Sequence, residues 1–217
     1  MAYILSVVQQ IVPGIGASLL LFILTLIFSM PLGLLICFGR MSKLRPLAIV
    51  VNFIISVLRG TPLMLQLVVV FFGPYYVFGV AVSNTWRFWA AIVGFSINYA
   101  AYFAEIYRAG IQSIPVGQYE AAAVLGYSRA QTFCKIIFPQ MAKRVLPPVT
   151  NEIITLTKDT SLAFVLAYAE MFTLAKQVAA AQASIAPLFV AGLFYYVFNY
   201  LVAFAMNAVE RKLAYYQ

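Results

Sequence analysis

Long apolar runs alternate with short polar segments along the whole chain. A membrane-crossing helix needs roughly 20 apolar residues, and five runs are long enough. The first covers about 15–38 and carries no charge. The second covers about 47–78 and is interrupted by Arg59-Gly60-Thr61-Pro62. The third covers about 86–107, the fourth about 149–172 and the fifth about 187–208, the fourth being the most polar. The second run is too long for one straight span. Pro62 lacks a backbone N–H and clashes with the preceding turn, so it is expected to kink or break the run. Splitting the run there would give six spans instead of five.

Charge decides between these counts, because cytoplasmic loops collect Lys and Arg. With the N-terminus outside, five spans put Arg40, Lys43 and Arg45 inside after the first span. Arg108, Arg129, Lys135, Lys143 and Arg144 fall inside after the third, and Arg211 and Lys212 after the fifth. Only Arg87 and Lys176 fall outside, while Arg59 and Lys158 lie within spans. A sixth span would turn a basic group outward, so five spans are expected, with the C-terminus cytoplasmic. Trp86, Trp89, Tyr75 and Tyr76 then fit the outer aromatic belt. The expectation is an all-α integral membrane protein with one transmembrane domain over residues 1–217. Its largest non-spanning segment is a cytoplasmic stretch of about 109–148. No repeat, linker or low-complexity segment interrupts it.

Composition agrees. The chain is 64% hydrophobic and 9% charged, against about 25% charged in a soluble domain. The net charge of +8 reads as topology and not as nucleic-acid binding. The absence of His excludes a His-based metal or acid/base site. No GxxxxGK[ST] loop occurs, so the chain has no P-loop of its own for ATP. Cys37 lies in an apolar run and Cys134 in a basic segment, which reads as two reduced thiols. The N-terminal segment has no basic n-region, so the first run is read as a retained anchor.

Within the cytoplasmic stretch, Pro115-Val-Gly-Gln-Tyr-Glu-Ala-Ala-Ala-Val-Leu-Gly126 has a start, a body and a stop. Pro115 and Gly117 are expected to break what precedes. Ala121, Ala122, Ala123 and Leu125 are strong helix formers. Glu120 is placed in the first turn, where an acid complements the helix dipole, and Gly126 at C′. A helix of about two turns is not stable alone in water and needs a partner surface. An amphipathic connector lying on the membrane is the plainer alternative.

The longer spacing weighs against that alternative. Glu120-Ala121-Ala122 is followed by Gly126 and then by Ile136-Ile137-Phe138-Pro139. This resembles the EAA motif of ABC importer permeases, with Phe138 in place of Leu. The stretches from Arg59 (RGTPLMLQ), Asn98 (NYAAYFAEIYRAGIQSIPVGQ) and Asn151 (NEIITLTKDTSL) are similar to the polar amino acid uptake permeases. The resemblance covers nearly the whole chain. It implies a type I importer fold of five helices and a pore formed by two permease subunits, as a homodimer or with a similar chain. It implies an ABC ATPase that binds ATP and Mg and receives the EAA helix through Glu120, Ala121, Ala122, Gly126 and Pro139. It also implies an external binding protein that delivers a polar amino acid, in a bacterial cytoplasmic membrane. This chain would carry no cofactor and do no bond chemistry.

Charges inside a span face the protein interior or water. In the fourth run Glu152, Thr155 and Asp159 share one helical face, and Asn151 and Lys158 share the adjacent one. They offer an acid for an ammonium and a base for a carboxylate; a network that only holds helices together is the alternative. Arg59, Gly60 and Thr61 at the proline break could line a cavity and meet a carboxylate. Otherwise the break is a plain kink, with Arg59 paired to Glu105 or snorkelling to the inner face. Glu105 and Arg108 read as a local ion pair. Asn98 and Tyr102, four apart on the third helix, face the path in this reading. An ion-gradient-driven transporter is a second functional class, although its internal repeats are not evident.

Overall fold

A computed structural model describes residues 2–213, and every regular element among them is helical. α1 (Ala2–Ile11) runs into α2 (Pro13–Arg40), and together they form a long apolar helix from Tyr3 to Arg40. α3 (Arg45–Gly60) and α4 (Leu63–Phe78) meet at the proline break with a bend of 111°. α5 (Asn84–Gln112) and α10 (Ala186–Leu213) are the other long uninterrupted helices. Between them lie α6 (Val116–Val124), α7 (Arg129–Thr132), a π-helical turn (Phe133–Ile137), α8 (Phe138–Asp159), a 3₁₀ segment (Thr160–Leu166) and α9 (Met171–Ala181).

α5 is the axis of the bundle and packs against α2, α3, α4 and α8. At 29 residues it is about 43 Å long by the usual rise per residue, longer than the roughly 30 Å hydrocarbon layer. Its middle carries small and aromatic residues that are fully enclosed, among them Ala91, Phe95, Tyr99, Ala100 and Phe103. α2 comes very close at Gly33, where a Cβ would lie 2.8 Å from the Phe103 Cβ and 3.0 Å from the Ala100 carbonyl. Only glycine permits that approach. At the other end Ser83 caps α5 by accepting from the Trp86 N–H at 3.0 Å, and the Trp86 indole donates to the Phe71 carbonyl of α4 at 3.0 Å.

The break at Pro62 is where the pattern placed it. Each half has 16 residues, about 24 Å of helix, too short to cross alone. The fourth run, expected over about 149–172, is divided among several elements. α8 starts earlier, at Phe138, continues through Pro147 and Pro148, and ends at Asp159. Three hydroxyls explain the end. Thr157, Thr160 and Ser161 each donate back to the carbonyl three residues earlier, at 2.7, 2.9 and 2.7 Å. Such bonds compete with the helical ladder and favour a tighter 3₁₀ turn. Ala167 at φ 51° then stops the segment, and the chain bends by 56° into α9.

Candidate functional site

The first site is the loop between α5 and α8. α6 begins at Val116 with Pro115 as its N-cap, so Gly117 lies inside the helix and not before it. Proline supplies the helical φ at the cap and has no N–H to leave unpaired. Glu120 consequently sits in the second turn, beyond the reach of most of the dipole effect, which corrects its placement in the first. The end follows the expectation. Gly126 adopts φ +76°; its N–H donates to the Ala123 carbonyl at 3.0 Å, and the Tyr127 N–H to the Ala122 carbonyl at 3.0 Å. This pair of bonds is a Schellman stop.

Two faces result. Ala122 is buried against the loop, whereas Glu120 and Ala121 are exposed with Val124 (88%) and Leu125 (73%). A nine-residue helix that presents bare Val and Leu is built to be covered. Pro139, exposed, stands in the first turn of α8. Among the described residues, Phe133 packs edge-on against Phe38 of α2, and polar ties bind the loop and its flanking helices. Gln140 donates to Gln118 of α6 at 3.3 Å, and Arg144 of α8 donates to the Ser113 carbonyl at the end of α5.

The second site is a cleft of about 510 Å³ among α3, α5 and α8, lined in part by Arg59, Tyr102, Glu105, Arg108, Arg144 and Glu152. Both signs of charge meet there. The Arg59 guanidinium lies over the Tyr102 ring, 5.1 Å from its centroid, and not against Glu105. Glu105 is already held by Arg108 at 2.6 Å, with Arg40 of α2 at 3.6 Å. The expected local pair is therefore present and extends to a third residue.

The other candidates separate. Asn151, Thr155 and Lys158 are exposed on α8, and the Thr155 hydroxyl donates back to the Asn151 carbonyl at 2.9 Å. Asp159 is half-buried and accepts from the Tyr99 hydroxyl at 2.7 Å. Gly60 and Thr61 are exposed at the break. Asn98 is only 4% exposed and donates to the Leu58 carbonyl at 3.2 Å and to Gln66 at 3.0 Å. Arg59, Tyr102 and Glu152 thus share the cleft, while Asn98 stands behind it.

Comparison with known proteins identifies the family of this helical bundle. Residues 29–215 match the model of the binding-protein-dependent transport system inner membrane component. The chain belongs to that family. The permease is 39% identical over 204 residues to the arginine transport system permease protein ArtQ of Bacillus subtilis (strain 168), covering 94% of this chain and 92% of ArtQ. It is 37% identical to the L-cystine transport system permease protein TcyB of the same organism, over 92% of this chain and 85% of TcyB. Its structure matches that of an amino acid ABC transporter crystallised with histidines, with a TM-score of 0.87, 30% identity and 97% of each chain covered. A chain of the MetNI methionine ABC transporter in an inward facing conformation shares the fold alone, at a TM-score of 0.76 and 19% identity. In this family the ATPase activity belongs to a separate subunit, and the permease is the transport subunit.

Several polar groups in the permease were not singled out from the sequence as site residues. Gln66, Tyr99 and Arg144 each make a contact over a long sequence separation, and of the three only Gln66, alone among apolar neighbours, carried a local signal. Glu170 is fully buried and caps α9. It accepts from the Phe172 and Thr173 N–H groups at 2.7 and 2.6 Å, from the Thr173 hydroxyl at 2.7 Å and from the Tyr195 hydroxyl of α10 at 2.9 Å. A carboxylate so fully partnered is a structural joint.

Proposed function

We propose that the permease forms the translocation path of an ATP-driven importer for a polar amino acid in a bacterial cytoplasmic membrane. In this reading five spans cross the membrane, with the N-terminus outside and the C-terminus inside. A second permease subunit, identical or similar, completes the pore. A separate ABC ATPase binds ATP and Mg and grips the exposed face of α6. A binding protein outside delivers the substrate. Closure of the ATPase pair pulls on α6, and the ties from the loop to α5 and α8 carry the motion into the bundle, which alternates between inward and outward access.

The observation that carries this reading is the exposed apolar ridge of α6, stopped at Gly126 and held outside the bundle at the end where the charged cleft lies. In the cleft Glu152 would face the substrate ammonium or a cationic side chain, and Arg59 would face its carboxylate, with the break residues Gly60 and Thr61 next to it in the chain. Asn151, Thr155, Lys158, Asp159 and Tyr102 extend this polar path, with Asn98 supporting it. The family membership does not favour an ion-gradient-driven transporter. Co-purification with the ATPase tests the reading: charge reversal at Glu120 or a bulky residue at Gly126 should uncouple ATP turnover from uptake. Unchanged transport in both variants would contradict it.

A further inference from the structure

We propose that Gln66 and Asn98 are positioning residues that hold the break between α3 and α4 in one shape and so set Arg59, which borders the break, at the substrate cleft. The inference rests on the reading of that cleft as the substrate path.

A helix that stops at membrane depth leaves carbonyls without partners, and no water in the hydrocarbon layer can replace them. α3 stops at Gly60. Gln66, in the first turns of α4, folds back over the gap. Its Nε2 carries two protons; one goes to the Leu58 carbonyl at 2.8 Å, and the other is shared between the Thr61 hydroxyl at 2.8 Å and the Thr61 carbonyl at 3.1 Å. The Thr61 hydroxyl passes its own proton to the Val57 carbonyl at 2.8 Å. From α5, the Asn98 amide donates one proton to Leu58 and the other to the Gln66 oxygen. The carbonyl acceptors dictate the orientation: the nitrogen of Gln66 must face the break, so its oxygen must face Asn98.

Every bond in this network closes a part of the break, and none requires a charge. Neither amide lines the cleft, and Asn98 is buried, so the pair acts through the backbone it holds. One turn along α5 from Asn98 stands Tyr102, whose ring carries the Arg59 guanidinium. The break and the cleft wall are therefore fastened to the same helix. Gln66 stands alone among Leu63, Met64, Leu65, Leu67 and Val68, where an unbonded amide would be costly.

The test uses the full chain assembled with its ATPase and binding protein. A nitroxide is placed at position 60 as G60C in a C134S background; a Cβ at Gly60 meets no atom within 4 Å. Without any change at Gln66, the proposal expects an immobilised spectrum, and a mobile one would overturn it. With Q66A or the equal-sized Q66E, which cannot donate to Leu58 or Thr61, the spectrum should become mobile. In unlabelled chains that keep Gly60, the same Gln66 substitutions should raise the half-saturating substrate concentration for uptake about tenfold or more, with a smaller fall in maximal rate. An immobile label, or a fall in maximal rate alone, would overturn the proposal. A mobile label with unchanged half-saturation would show that the amides fasten the break but that the break does not bind substrate, and would overturn the proposal through the reading on which it rests.

Discussion

The Tyr99 hydroxyl donates a 2.7 Å hydrogen bond to the Asp159 carboxylate, joining the middle of α5 to the last residue of α8. Tyr99 is among the largest fully enclosed side chains of the bundle, so this bond fastens the end of α8 to the core of α5. Tyr99→Phe leaves the packing intact and removes one partner of the carboxylate. A loss of about 1–3 kcal/mol is expected, read as a lower midpoint of thermal unfolding in detergent. An unchanged midpoint would show that the bond is replaced by water.

Gly126 is expected to be the most sensitive single position of the loop. A branched residue there must adopt φ +76°, at a cost of about 1–2 kcal/mol, and α6 has only nine residues with which to absorb it. Gly126→Val should leave the bundle folded and reduce ATPase stimulation by the loaded binding protein. Gly126→Asn, which tolerates this conformation, should be milder. Equal effects of the two substitutions would argue against a backbone cause.

Glu152→Gln tests the chemistry of the cleft. The substitution keeps size and removes the negative charge. Uptake of a cationic amino acid should weaken more than that of a neutral one, measured as competition by each against a labelled substrate. Equal weakening would remove the idea that this carboxylate reads the side chain.

Glu170→Gln probes the joint between α9 and α10. The carboxylate accepts from two N–H groups and two hydroxyls, and an amide nitrogen cannot accept at all. A stability loss of at least about 2 kcal/mol is expected, together with increased hydrogen exchange at Phe172 and Thr173. Native-like exchange at these two residues would contradict the assignment.

Local chemistry made part of this structure legible. Pro62 and Gly126 announce a break and a stop because ring and φ constraints act within a few residues. The apolar runs placed α2, α5 and α10 because period and length suffice for an enclosed or lipid-facing helix. The end of α8 was not legible, since three hydroxyls had to bond back in register to convert an apolar run into a 3₁₀ turn. The start of α6 was misplaced because Pro115 caps the helix and does not merely precede it. Asn98 read as a path residue; its partners Leu58 and Gln66 flank a 111° bend between two other helices, and no spacing rule connects them. Arg59 likewise found an aromatic ring because Arg108 and Arg40 already held Glu105.

The most direct test of the account is uptake by proteoliposomes that hold the permease with its ATPase, with ATP enclosed and the amino acid-loaded binding protein outside. Accumulation that requires ATP, the ATPase and the binding protein, and that is lost in Gly126→Val while the complex still assembles, is the predicted result. Uptake by the permease alone, driven by an ion gradient without ATP, would contradict it.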